Sequence, residues 1–131
     1  MREHDIPGGT NIGLIDLVAR FALDHGYHTI VEGIFRADYY ADMLTALIAD
    51  HQGLTRCYYF DIPFEEAVQR HSTKPLAAEY GRVEMSEWYR ERALLADVGE
   101  RIIEADTTLS GTVERIMADT GLAAAITSAE L

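Results

Sequence analysis

The sequence predicts an α/β protein with a mainly parallel sheet, and two observations carry that prediction. Short apolar runs recur at 27–35, 55–63 and 100–106, continuous rather than strictly alternating, as suits strands covered on both faces. Between them lie stretches of helical period, long enough to act as crossovers between parallel strands.

The elements follow in order. After Gly8 and Gly9, "NIGLIDLVARFALDH" (11–25) is apolar on most sides, and Asp16, Arg20 and Asp24 form one narrow solvent stripe. Thr10 or Asn11 serves as its N-cap and Gly26 closes it, which predicts a capped, mostly buried helix. "YHTIVEGIF" (27–35) is the first strand, with β-branched Thr29, Ile30 and Val31. "ADYYADMLTALIADHQG" (37–53) returns to helical period, with Tyr40, Met43, Leu44, Leu47 and Ile48 on one face. "TRCYYFDIP" (55–63) is the second strand. Pro63 stands where helices begin and opens "FEEAVQRH" (64–71). "STKPLAAEYGR" (72–82) interrupts the pattern and "VEMSEWYRERALL" (83–95) resumes it. "ERIIEAD" (100–106) is the third, shorter strand. "TTLSGTVERIMADTG" (107–121) is a last amphipathic helix, with Leu109, Val113, Ile116 and Met117 inward and Gly121 as its stop. The tail 123–131 is a helical extension or a loose end.

At 131 residues the natural expectation is one domain over 1–131. With 48% hydrophobic residues, the chain can build a core without metals or disulfides, burying roughly two-thirds of its unfolded surface. The lone Cys57 sits in an apolar run and has no second cysteine to pair with, so it reads as a small buried thiol in a reducing setting. A net charge of −11 argues against nucleic-acid binding, which rests on basic patches. No apolar run approaches the ~20 residues of a membrane span, and "MREHDIPGG" lacks the pattern of a secretory signal. A soluble, cytoplasmic protein is the expectation.

The glycine-rich turn "PGGTN" invites comparison with phosphate loops, because helix N-termini attract anions. A P-loop needs G-x-x-x-x-G-K-[ST] after a strand, and no lysine stands near Gly8 and Gly9, so the turn reads as the start of a capped helix. Glu32 is more informative, since it falls at the carboxyl end of the first expected strand, where ligands of open parallel sheets bind. There it suits a Mg²⁺-bound water, a substrate proton or a substrate hydroxyl, or else it is a satisfied carboxylate capping the next loop. Asp61 also ends a strand, in "FDIPFEE", but lacks the Asp-x-Asp-x-Thr of a nucleophilic aspartate and reads as the N-cap of the helix at Pro63. Arg70 and Lys74 straddle "RHSTKP", and Arg90 and Arg92 end the next helical stretch. Cations on an excursion at a sheet's carboxyl edge clamp transferring phosphate, or else form solvated surface and helix C-terminal compensation. His4, His25, His28, His51 and His71 match no zinc template and read as surface residues. Trp88, Tyr89, Tyr58 and Tyr59 read as packing.

Taken together, "REHDIPGGTNIGLIDL", "VEGIFRADYYADML", "CYYFDIPFEEAVQRHSTKP", "AAEYGRVEMSEWYRE" and "ERIIEADTTL" resemble small bacterial P-loop kinases related to zeta-toxin, chloramphenicol-phosphotransferase and gluconate-kinase-like enzymes. The resemblance runs from Arg2 to about Leu122. It implies a three-layer parallel sheet of the P-loop kinase type, N-terminally incomplete. The family's first two strands and the Walker A loop between them have no counterpart in these 131 residues. It implies transfer of ATP's γ-phosphate, with Mg²⁺, to a small-molecule hydroxyl. Glu32 matches the acidic residue after the third family strand. Arg70, Lys74 and Arg90 match the lid cations, with lysine at 74 where the family often has arginine. Ala105, Asp106 and Thr107 match the adenine-side loop. The family's first strand lies between its third and fourth, so "HTIVEG" and "RCYYFD" are expected either to pair directly or to leave open edges. Strand exchange in a homodimer is the further expectation. The alternative is a non-catalytic α/β binding module derived from a kinase.

Overall fold

The computed structural model describes residues 8–90, 94–95 and 98–124. It mixes helix and strand and divides into two compact units. One comprises Met1–Thr55 with Ala93–Gly99, the other Arg56–Arg92 with Glu100–Leu131.

The first unit is a helix pair. Helix α1 spans Thr10–Asp24 and α2 spans Ala37–Asp50. The N-cap of α1 is Gly9, one residue before the expected cap. Gly26, at φ 78°, closes the helix as the sequence requires. Ile12, Tyr40 and Leu44 form the core, with Ile15, Phe35 and Met43 packed against it. Arg20 donates to Asp16 on its own helix (2.9 Å) and to Asp50 on α2 (2.8 Å).

Two expectations fail in this unit. No strand forms over 27–35, and the segment runs irregularly from Gly26 to α2. A strand exists only through ladder hydrogen bonds to a neighbour, and no described segment supplies one. Nor is α1 mostly buried: Leu14, Leu17, Val18 and Phe21 are each more than half exposed. Its apolar stripe is wider than one partner helix covers, so only Ile12 and Ala19 become fully buried.

The second unit is built on two strands, β1 over Tyr58–Asp61 and β2 over Arg101–Glu104. They pair in parallel, Tyr58 opposite Arg101 and Asp61 opposite Glu104. The parallel pairing agrees with the expected mainly parallel sheet, and among the described residues the sheet has these two strands alone. Ile103, 1% exposed, anchors it. Helix α3 spans Phe64–Ser72, α4 Arg82–Trp88 and α5 Leu109–Thr120, with a 3-10 turn over Pro75–Ala78 between α3 and α4.

Asp61 is not the cap of α3. Pro63 holds the N-cap position without a side-chain bond, while Asp61 remains the last residue of β1. Helix α4 stops at Trp88, shorter than the periodicity suggests. Arg92 and the tail from residue 125 lie outside the described residues. Helix α5 is capped by Thr108, whose Oγ1 accepts from the Gly111 N–H at 3.0 Å, and closed by Gly121 at φ 72°. Its expected inner face is only partly buried: Leu109 and Val113 are exposed, and Thr112 is the buried residue, because a two-stranded sheet offers little surface to cover it.

Polar contacts complete the attachment of α5. Asp119 accepts from the Tyr58 hydroxyl (2.8 Å) and from Arg101 (2.7 Å), and Arg115 donates to the Ile102 carbonyl (2.8 Å). The Arg101 guanidinium, then the Tyr58 hydroxyl, hold the Asp119 carboxyl below the usual range. Burial, then Asp119, pushes the Tyr58 phenol up.

Candidate functional site

The site belongs to the second unit, at the carboxyl edge of the β1–β2 pair. Helix α3 carries Glu65 and Glu66 in its first turn and Arg70 and His71 in its last, a charge order that complements its dipole. Arg70 is thereby set against the loop that leaves β2: its Nη2 donates to the Ala105 carbonyl at 2.7 Å. The same nitrogen donates to Glu66, one turn back on α3. Arg70 is nevertheless 46% exposed and Glu66 37%, so solvent and solutes reach both.

His71, expected at the surface, is buried at 7% exposure. Its ring stacks on Tyr80 with centroids 4.2 Å apart, and Nε2 donates to the Tyr80 carbonyl at 2.9 Å. A carbonyl only accepts, so Nε2 carries the hydrogen. This contact pins both ends of the excursion that bears Lys74, the sole lysine of the chain. Lys74 is exposed, and its ammonium makes no ion pair among the described residues. The signal for His71 was its helical spacing, one turn beyond the half-buried Ala67 and Val68.

Glu65 is committed elsewhere. Arg82 grips it with two N–H donors while lying 5.1 Å over the Phe64 ring, and Arg82 lowers the Glu65 carboxyl below its ordinary range. An open depression of about 700 Å³ along α3 includes Glu65, Glu66, Gln69 and Arg70 in its lining. Its two carboxylates each already hold an arginine.

Arg90 takes the alternative reading given to the cations. Its Nη1 donates to the carbonyls of Glu87 (2.9 Å) and Tyr89 (2.8 Å), compensating the end of α4. Its own carbonyl accepts from the Tyr59 hydroxyl at 3.3 Å. Asp106 and Thr107 follow Ala105 in the turn before α5, Asp106 exposed and Thr107 bonded through its N–H to Glu104 at 3.1 Å. Arg70 and the 105–107 loop are therefore in direct contact. Glu32 lies in the first unit, exposed, in the irregular segment that replaces the expected strand. The strand-end placement that singled it out is not realised.

Cys57 is partly buried, and burial followed by Glu100 pushes its thiol up, which disfavours the thiolate. Trp88, Tyr89, Tyr58 and Tyr59 are half-buried, with Trp88 edge-on to Tyr80 and Tyr89 tilted on Phe64. Among the described residues no three His, Cys, Asp or Glu side chains group as a metal site. A Mg²⁺ ion leans on nucleotide phosphates as well as one or two carboxylates, so these residues do not form its site alone. Arg70 and Lys74 suit phosphate oxygens directly. No described helix is long and apolar enough to cross a membrane.

No family model, curated protein or solved structure matches the chain.

Proposed function

We propose that this chain carries the lid and acceptor side of a kinase-like phosphotransferase, built on a three-layer parallel sheet. The phosphoryl donor is ATP with its Mg²⁺, and the acceptor is a small-molecule hydroxyl. One observation carries the reading: Arg70 stands at the carboxyl edge of a parallel strand pair, in contact with the 105–107 loop. That edge is where α/β sheets bind ligands. Phosphoryl transfer asks little covalent chemistry of a protein, and cations fixed beside the transferring group supply much of the catalysis. In this reading Arg70 and Lys74 neutralise phosphate charge, and Asp106 and Thr107 border the nucleotide. Arg90 and Glu32 stay in the proposal on resemblance alone, Arg90 having spent donors on its own helix.

The 131 residues contain no G-x-x-x-x-G-K-[ST], so the chain is expected to bind ATP weakly and turn over little. The second reading, a non-catalytic α/β binding module derived from a kinase, draws on that same absence and on Arg90's internal bonds.

Isothermal titration of the chain with Mg-ATP tests the proposal. Millimolar binding that disappears in Arg70→Ala/Lys74→Ala supports it. Absence of saturable binding, or binding indifferent to both substitutions, overturns it. Ligand binding without nucleotide dependence favours the module.

A further inference from the structure

We propose that Glu66 is an internal stand-in for phosphate at Arg70, a latch that the ligand must displace. The inference rests on the phosphate-binding reading above and adds a regulating residue to it.

The geometry is specific to one nitrogen. Arg70 Nη2 is shared between the Glu66 carboxylate and the Ala105 carbonyl. Among the described residues its Nε and Nη1 donors have no protein partner, so much of the guanidinium fork still points to solvent or ligand. The two acceptors differ in kind. Ala105 belongs to the loop and keeps the cation on the ligand side of α3. Glu66 is a partly exposed side-chain anion that a better anion replaces.

A phosphate group carries more negative charge than a carboxylate and takes the same fork in two parallel bonds through two of its oxygens. Glu66 stands four residues before Arg70, the favoured order for a helical ion pair, so the cation is held in place while the site is empty. An exposed pair of this kind is weak. The latch therefore sets a threshold of small size, about two- to fivefold in anion affinity, rather than closing the site. Glu65 provides the contrast: its two-donor pair with Arg82 links α3 to α4 and leaves Arg70 untouched.

The test uses the full chain, inorganic tripolyphosphate as probe, and amide spectra as readout. Glu66→Gln keeps the size and an acceptor but removes the competing charge. It is expected to bind tripolyphosphate about two- to fivefold more tightly than the parent, and the gain should vanish in Glu66→Gln/Arg70→Lys. Glu65→Gln removes an equal charge one residue away without touching Arg70, and should raise the affinity less than Glu66→Gln does. Even without the probe, Glu66→Gln should shift the amide signals of Ala105, Asp106 and Thr107, because Arg70 couples the two sites.

If those amides shift but no protein binds the probe, the phosphate reading falls and the Glu66–Arg70–Ala105 coupling survives. If the probe binds through Arg70 and Glu66→Gln changes neither affinity nor amides, the latch is wrong and the phosphate reading survives. If neither effect appears, both are overturned.

Discussion

In the first unit, α1 and α2 meet along Ile12, Tyr40 and Leu44 and leave Leu14, Leu17, Val18 and Phe21 open to solvent. In the second, Ile103 is closed off and polar side chains tie one element to another: Tyr58 and Arg101 to Asp119, Arg70 to Ala105, Arg82 to Glu65. A helix pair gathers apolar area along one stripe only, whereas a parallel strand pair presents backbone carbonyls and strand-end side chains at one edge. The second arrangement suits ligand chemistry, and Arg70 meets the loop leaving β2 there. The first has the composition of a packing element.

The sharpest way to break this comparison is at the two apolar extremes. Ile103→Ala should destabilise the second unit by about 2–5 kcal/mol, read by chemical denaturation. A cost under about 1 kcal/mol would mean that the β1–β2 pair is not its anchor. Next comes Gly121→Ala, which forces a side chain into the left-handed region at the end of α5. It should cost about 1 kcal/mol in the same assay.

The Asp119 cluster gives a pH signature. The folded carboxyl lies below its ordinary value, so its stabilising contribution is full above about pH 3.9 and is lost as pH falls through the lower folded value. The stability gap between the parent and Asp119→Asn should therefore be constant near neutrality and shrink in acid. A gap that widens in acid would contradict the assigned contacts. The smallest effect is expected on the open face of α1: Leu17→Ala should change stability by less than about 0.5 kcal/mol. A large loss would show that this face is covered in solution. The unladdered apolar segment 27–35 bears on the same point. Strand exchange predicts a concentration-dependent dimer in sedimentation, and a monomer at every concentration counts against it.

The local features were legible in the sequence. Helical period and glycine stops placed α1, α2, α3 and α5, and the apolar runs at 55–63 and 100–106 placed the strand pair. Segment 27–35 was not legible, because its composition favours a strand while its structure depends on a neighbour that no local pattern encodes. The same limit explains Glu32, whose interest derived from that strand. His71 was misjudged from residue type, although its position one turn from Ala67 and Val68 put it on the inner face of α3. Of the site, the contact between Arg70 and the Ala105 carbonyl was not legible, since Arg70 stands in the last turn of α3 rather than at a strand end. Glu66 escaped notice, since an acidic residue in a first turn reads as dipole compensation until its partner is seen.

The most direct measurement is an amide-resolved titration of the chain with Mg-ATP. The account predicts weak saturation with shifts confined to Arg70, Lys74 and residues 105–107, abolished by Arg70→Ala/Lys74→Ala. Shifts centred on the α1–α2 pair, or none at the carboxyl edge of β1 and β2, would contradict it.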